Sequence, residues 1–320
     1  MQQPLLCAII GAGSIGGLID SPQSPNIASH AHAITKHPLC KLVAICEPHH
    51  ANQEEFIKRW GQVNVYESDE ELLQKEKIDL LIIASPTPFH NATLQKALHV
   101  KKISYILCEK PLVATSDALK QIKPLLLQSK KKILINLIRT FDPSFQSLAK
   151  DIQDGIFGKA LHFQGIFTKG LLHNGIHMLG ILAHFFGKIE SIESLHVKIL
   201  QDDISGDFKL TCKDASGLLS CMENLPYSDF ELTLWFENAK VEILEGGAKI
   251  NLFAKKPSTL YEGYFNLEFE KTLPNTLQSY ALNSLDFLLH SPQTEAKEIL
   301  EKHIMIHETI FETLDKEKQR

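Results

Sequence analysis

Leu5-Leu6-Cys7-Ala8-Ile9-Ile10-Gly11-Ala12-Gly13-Ser14-Ile15-Gly16 decides the fold. Six apolar residues running into GxGxxG read as a buried strand that turns into a helix. Gly11 makes the tight turn, Gly13 lets the backbone approach a pyrophosphate, and Gly16 allows close packing of helix on strand. Ser14 and Ile15 then lie in the first helical turn, where N–H groups and the positive dipole end attract phosphate. The fingerprint gains weight from an acidic residue ending the next strand. Lys41-Leu42-Val43-Ala44-Ile45-Cys46 is that strand and Glu47 that residue. A carboxylate there accepts hydrogen bonds from an adenosine ribose and repels a 2'-phosphate, and no Arg or Lys follows it, so NAD is expected over NADP. His49 and His50 keep NADP open.

Glu47 stands 31 residues after Gly16, where about 20 is usual. The excess maps to Asp20-Ser21-Pro22-Gln23-Ser24-Pro25-Asn26, a turn-rich stretch expected to interrupt the first helix, which resumes after Ser29 with His30 and His32 in its first turn. It is read either as a surface insertion or as a loop over the cofactor mouth. Beyond Glu47, helical and strand-like segments alternate to Asn136, as in a parallel sheet. Ser68 with Glu71 has the spacing of a capping box. Past Arg139 the texture changes to two helices around one strand, a run of strands over 189–270, and two closing helices. The expected division is a dinucleotide-binding domain over 1–138 and a substrate-binding and oligomerisation domain over 139–320. The expected class is α/β, a doubly wound parallel sheet followed by an α+β domain with a large open antiparallel sheet.

With 320 residues, 44% hydrophobic and 22% charged, the composition is that of an ordinary globular protein. A net charge of -5 gives no reason to expect nucleic acid or an anionic membrane as partner. The first strand begins near Leu5, which leaves no room for a signal peptide, and no apolar run reaches a membrane span. The six cysteines show no CxxC spacing and read as reduced residues of a cytoplasmic protein.

Ser104-Tyr105-Ile106-Leu107-Cys108 is a further strand, and Glu109-Lys110-Pro111 follows it. A lysine past the end of a parallel strand sits in the crevice where such sheets bind ligands. Pro111 biases Lys110 toward extended backbone. Lys110 is therefore a candidate acid, base or carbonyl-stabilising group. Glu109, Asn136 and His90 are candidates beside the nicotinamide ribose, with Ser85, Pro86 and Thr87 on the same side of the cofactor.

Four motifs in order, GxGxxG, Ser85-Pro86-Thr87-Pro88-Phe89-His90, Glu109-Lys110-Pro111 and Arg139-Thr140-Phe141-Asp142-Pro143, resemble the glucose-fructose oxidoreductase / inositol dehydrogenase / rhizopine catabolism (Gfo/Idh/MocA) family over nearly the whole chain. The resemblance implies a Rossmann domain followed by an open antiparallel sheet. It also implies NAD(P)-dependent hydride transfer at a secondary alcohol or ketone of a sugar, cyclitol or nucleotide sugar. The family's Asp-x-Gly-x-His corresponds to His173-Asn174-Gly175-Ile176-His177, with His173 in place of the aspartate and Gly180 where a second aspartate often stands.

Residues four apart share a helix face, so His173 and His177 are expected to address one ligand. His177 is the expected general base and Lys110 its partner. Arg139, Lys169, His173 and Asn174 are expected to bind substrate oxygens. HxxxH also suits zinc, but no glutamate lies between the histidines as in a zincin, and no metal is expected. A homodimer or homotetramer is expected through the second sheet, whose faces the few helices cannot both cover. Two alternatives stand beside the dehydrogenase: a sugar-sensing regulator without turnover, and an NAD-retaining lyase or hydrolase.

Overall fold

The computed structural model describes residues 3–223 and 225–320, and the chain divides into two compact units. Unit 1 contains residues up to Ile138 together with Gln278–Ile304; unit 2 contains Arg139–Leu277 and Met305–Arg320. The second segment of unit 1 lies far beyond the change of texture near Arg139. Its grouping follows from tertiary contact, which has no local signal.

Unit 1 is a six-stranded parallel sheet of order β3-β2-β1-β4-β5-β6, with β1 Leu5–Ile10, β2 Cys40–Cys46, β3 Asn64–Tyr66, β4 Leu80–Ile83, β5 Tyr105–Cys108 and β6 Lys132–Ile135. The helices are α1 His30–Lys36, α2 His50–Trp60, α3 Asp69–Lys75, α4 Thr87–His99 and α5 Ser116–Gln128, joined by α8 Tyr280–His290 from the distant segment. All four residues of β4 are buried, as a strand covered on both faces requires. The register aligns the strand ends: Ile10 lies opposite Cys46 and Ile83, Ile83 opposite Cys108, and Cys108 opposite Ile135. Gly11, Glu47, Ala84, Glu109 and Asn136 therefore follow five neighbouring strands along one edge of the sheet. This is the ligand-binding edge of a doubly wound fold.

Two local expectations change. The segment after Gly13 is a five-residue π turn, Ser14–Leu18, rather than the start of an α-helix, and the helix proper begins only at α1, capped by the Ser29 hydroxyl on His32 N. Ser68 precedes α3 without a side-chain cap bond. The carboxylate of the next residue, Asp69, instead accepts from Thr93 Oγ1 and Lys96 Nζ of α4.

Unit 2 is an eight-stranded sheet of order β14-β13-β12-β11-β7-β10-β9-β8. Its strands are β7 Ala160–Thr168, β8 Ile189–Ile199, β9 Ile204–Cys212, β10 Ser216–Met222, β11 Phe230–Phe236, β12 Ala239–Leu244, β13 Lys249–Pro257 and β14 Phe265–Leu273. Only β7 and β10 pair in parallel; the other neighbours are antiparallel. Helices α6 Pro143–Gln153 and α7 Ile176–Phe186 belong to this unit, and α9 Gln293–Lys318 carries residues of both. Phe186 of α7 stacks on Phe163 at 6.0 Å and meets Phe236 at 6.2 Å. A side chain at Gly165 would crowd Leu219 and Met178, so glycine permits the close approach of α7. Each such phenylalanine contributes about 1.5–3 kcal/mol by leaving water.

Alternation in β11 turns Phe230, Leu232, Leu234 and Phe236 into this core and leaves Glu231, Thr233 and Trp235 on the other face. The four inward apolar positions of that strand are thus used within the chain, and an intersubunit role does not follow from them.

Candidate active site

The fingerprint in unit 1 shows what each glycine does. Gly11 has φ of 93°, and a Cβ there would lie 2.4 Å from Ser85 N; one at Gly16 would lie 2.0 Å from Gly11 O. Neither position has room for a side chain. A Cβ at Gly13 would meet nothing within 4 Å, so the backbone is open where a pyrophosphate has to approach. Glu47 is buried, with Oε2 accepting from Ala12 N at 3.0 Å and Oε1 from His49 N at 3.1 Å. The glycine turn and the acid that ends β2 are thereby locked together.

The insertion is part of this unit's architecture. Asp20 accepts from Ala28 N (2.7 Å), Ser29 N (3.0 Å), Ser29 Oγ (2.5 Å) and His32 Nδ1 (3.0 Å). Burial alone would raise the Asp20 pKa, but the bonds from Ser29, Ala28 and His32 outweigh it and hold the carboxyl below its usual value. Ile27 exchanges backbone bonds with Gln278 and Ala281 at the start of the distant segment. The anchored loop delivers α1, and with it His30.

His30 Nε2 donates to Glu109 Oε1 at 2.8 Å, and Asn136 Nδ2 donates to the same oxygen at 2.6 Å. Burial pushes the Glu109 pKa up; the His30 bond and charge, Asn136 and the neighbouring Lys110 together push it down further, so it stays ionised. Lys110 is half-buried, and its peptide with Pro111 is cis. His90 braces this corner, with Nδ1 2.9 Å from Pro111 O and Nε2 2.8 Å from Ser85 O. Pro86 and Thr87 open α4 beside it. Ser85 Oγ and Asn136 Oδ1 are buried with no protein partner. Orphaned polar atoms at the ends of β4 and β6, with the opening over Gly13, fit a bound dinucleotide with hydroxyl and amide groups to offer. Gly11, Gly13, Glu47, Ser85, Glu109, Lys110 and Asn136 are the residues of this edge that would hold it.

In unit 2 the second half of the motif begins where β7 ends. Lys169 has φ of 71° and Gly170 of 80°, the left-handed region that is uncommon for a lysine and is found at functional turns. A π turn, Leu171–Gly175, then leads into α7. The expected continuous α-helix is thus a wide turn followed by a helix, and His173 and His177 differ in setting. The His173 side chain is 47% exposed, whereas His177 is 7% exposed. Asn174 is half-buried.

Asp203, just before β9, reorganises the reading of this segment. Its carboxylate is 3% exposed. It accepts from Leu172 N (2.7 Å), His173 N (3.0 Å), Ile204 N (2.7 Å) and His173 Nδ1 (2.8 Å). It caps the π turn from a distant part of the chain and fixes the imidazole of His173. A Cβ on Gly170 would lie 2.1 Å from Asp203 Oδ2, so that glycine is needed for the carboxylate to enter. Sequence reasoning missed Asp203 because it lies 30 positions from His173 with no motif around it. The only available hint was the lost family aspartate at position 173, which demands a replacement charge.

Beside this turn lies a cleft of about 540 Å³ lined in part by Thr168, Lys169, Lys198, Glu223 and Tyr227. Lys198 and Glu223 pair at 2.9 Å, and Thr168 Oγ1 is buried with no protein partner. Arg139 serves the unit's interior: Nε donates to Gly246 O at 2.7 Å and the guanidinium lies 3.9 Å from the Phe230 ring centroid. Burial lowers its pKa to about 10, so it remains cationic at neutral pH.

Among the described residues, one set of three side chains could converge on a metal: His37, Asp286 and His290. Leu39 N donates to His37 Nδ1, and His290 Nδ1 lies 3.1 Å from the Asp286 carbonyl oxygen. The six cysteines are all free thiols. No described helix is long and apolar enough to cross a membrane.

Residues 5–137 match the model of GFO_IDH_MocA, an oxidoreductase family with an NAD-binding Rossmann fold. Over 172 residues the chain is 27% identical to a scyllo-inositol 2-dehydrogenase (NAD(+)) of Bacillus subtilis, covering 53% of this chain and 46% of that protein. The chain spans about half the length of the curated relatives it matches. A dehydrogenase from Chromobacterium violaceum has a similar structure over 98% of this chain and 96% of its own, with a TM-score of 0.76 at 16% identity. A 3-ketoreductase from Actinomadura kijaniata in complex with NADP is similar over 95% and 96%, with a TM-score of 0.72 at 16% identity. At such identity the likeness establishes the fold over nearly the whole chain.

Proposed function

We propose that this chain, whose residues 5–137 match the GFO_IDH_MocA oxidoreductase family, transfers a hydride between a nicotinamide dinucleotide and a secondary alcohol or ketone of a sugar, cyclitol or nucleotide sugar. The observation that carries this reading is the edge of the unit 1 sheet. There the pyrophosphate turn, the ribose acid and the Glu109–Lys110 corner follow neighbouring strands, with Ser85 Oγ and Asn136 Oδ1 left for a ligand. The name of the Bacillus subtilis relative, an NAD-dependent inositol dehydrogenase, supports the substrate class.

A bound nicotinamide would supply the hydride acceptor for an alcohol carbon, or the hydride donor for a ketone. Lys110, its charge supported by ionised Glu109, orients the substrate oxygen and stabilises it as the carbonyl develops. The histidines of the 173–177 segment supply the group that takes or returns the hydroxyl proton. Lys169, Asn174 and the unpartnered Thr168 hydroxyl bind further oxygens of a polyol. Glu47, with both carboxylate oxygens fixed by amides, disfavours a 2'-phosphate and makes NAD the preferred coenzyme. The face of the unit 2 sheet that carries Ile166, Leu218, Met222, Trp235 and Phe253 receives a second copy of the chain.

The test is a thermal-shift and turnover panel of NAD and NADP with cyclitols, aldoses and nucleotide sugars. A coenzyme at 100 times its Kd stabilises the native state by about 2.7 kcal/mol, with the larger shift expected for NAD. No shift with either coenzyme would sink the proposal.

A further inference from the structure

We propose that Tyr280 is a coenzyme-binding residue, its hydroxyl donating a hydrogen bond to the nicotinamide ribose of a dinucleotide bound at the ligand edge of unit 1. The inference rests on the nicotinamide reading above and adds to it a residue from the distant segment Gln278–Ile304.

The placement follows from two helices that run side by side. α1 and α8 pack on one another, and α8 also packs on β5 and β6. At their starts, Ile27 N donates to Gln278 O at 3.0 Å and Ala281 N donates to Ile27 O at 3.3 Å. At their ends, His37 Nε2 lies 3.5 Å from Asp286 Oδ1, and Lys132 Nζ, on the first residue of β6, donates to Ser291 O at 2.6 Å. The end of α8 is therefore level with the start of β6. The 11 residues of α8 span about 16 Å and the 4 of β6 about 13 Å, so the start of the helix reaches the end of the strand. Glu109 and Asn136 follow the ends of β5 and β6. His30 and Tyr280 are the first residues of α1 and α8, and both stand at this edge.

The surroundings of the phenol agree with that position. One residue past Ile27, Ala28 N bonds to Asp20, and His30 bonds to Glu109. Burial, and then the negative charges of Glu109 and Asp20, push the Tyr280 hydroxyl up to about 12. It keeps its proton at neutral pH and serves as a donor rather than a base. The Tyr280 carbonyl accepts from Ser284 Oγ, whereas no described residue takes the phenol proton.

Glu109 supplies the complementary half. Its Oε1 accepts from His30 Nε2 at 2.8 Å and Asn136 Nδ2 at 2.6 Å, while Oε2 meets the Lys110 amide at 3.4 Å, longer than an ordinary N–H···O bond. The ionised carboxylate thus has an oxygen to accept with, and the phenol has a proton to donate. A sugar hydroxyl does both. One ribose hydroxyl can therefore donate to Glu109 Oε2 and accept from Tyr280.

The test is calorimetric binding of NAD, ADP-ribose and ADP to the full chain and to Tyr280→Phe, which removes one oxygen and keeps the ring. ADP lacks the second ribose. Loss of one hydrogen bond is expected to weaken NAD and ADP-ribose by about 3- to 10-fold and to leave ADP within about twofold. Because the hydroxyl has no partner within the protein, the unliganded variant should melt with the parent.

Equal weakening of all three ligands would make Tyr280 a packing residue. A loss with NAD alone would put its contact on the carboxamide, and unchanged affinities would remove it from the site. Each of these results overturns the proposal. The parent's own affinity for NAD reports on the coenzyme reading separately: if the parent binds NAD and the variant matches it, only the role of Tyr280 fails, and if the parent binds none of the three, both fail.

Discussion

The two units each contain a histidine and a carboxylate 2.8 Å apart, and they are built in opposite senses. In unit 1 the imidazole of His30 is 1% exposed and the carboxylate of Glu109 is 14% exposed. In unit 2 the carboxylate of Asp203 is 3% exposed and the imidazole of His173 is 47% exposed. Whichever partner is buried acts as the anchor, and the other is presented. The first pair keeps an acid ionised beside Lys110; the second holds a half-exposed imidazole through its Nδ1. A short His–carboxylate distance alone therefore says little about role, and the direction of burial supplies the rest.

The comparison can be broken first at the group that Glu109 supports. Lys110→Ala should lower kcat by about 100-fold or more while NAD affinity stays within a few fold, because the ammonium acts on charge that develops in the transition state. Steady-state kinetics with separate coenzyme titrations check this. A loss confined to NAD binding would make Lys110 a cofactor residue only.

Next in size is the support behind His30. Asp20→Asn removes a charged acceptor of four hydrogen bonds and should cost about 1–3 kcal/mol at pH 7. The folded pKa of Asp20 is depressed, so its contribution is fully present above the unfolded value and is lost as pH falls through the folded one. Denaturation of the two proteins should therefore differ most near neutrality and converge in acid. A constant difference across pH would show that the charge is not the cause.

His30→Leu tests the first pair directly. With the imidazole gone, burial acts on Glu109 without its main opposing contact, so the pKa of Glu109 rises and the acid limb of kcat moves to higher pH. A loss of about tenfold is expected at neutral pH, with partial recovery in His30→Gln, which still presents a donor. An unchanged pH profile would leave His30 as packing alone. The smallest effect belongs to Glu47→Ser, which should narrow the gap in thermal shift between NAD and NADP by a few fold in apparent affinity, since only the repulsion of a 2'-phosphate is removed.

The first pair was far more legible than the second. Gly11, Gly13 and Gly16 act through backbone geometry, and the ends of parallel strands are marked by the apolar runs before them, so spacing alone located Glu47, Lys110 and Asn136 on one edge. His30 was placed in the first turn of its helix, but its partner at 79 positions' distance was beyond any local signal. The same holds for Asp203 and for Gln278–Ile304, which pack with unit 1. Four-residue spacing suggested that His173 and His177 share a face. The amides of Leu172 and His173 bond to Asp203, the segment is a π turn, and the two histidines differ in exposure. The Ser68–Glu71 spacing failed for a related reason: the neighbouring Asp69 is drawn to α4 and the helix starts without its box.

Hydride transfer itself is tested most directly by following an isotope. A cyclitol or sugar carrying deuterium on the carbinol carbon, incubated with the protein and NAD, should yield NADH with deuterium on the nicotinamide ring, one atom for each carbonyl formed. Turnover of the substrate with deuterium released to water, or with no net reduced coenzyme, would contradict the account.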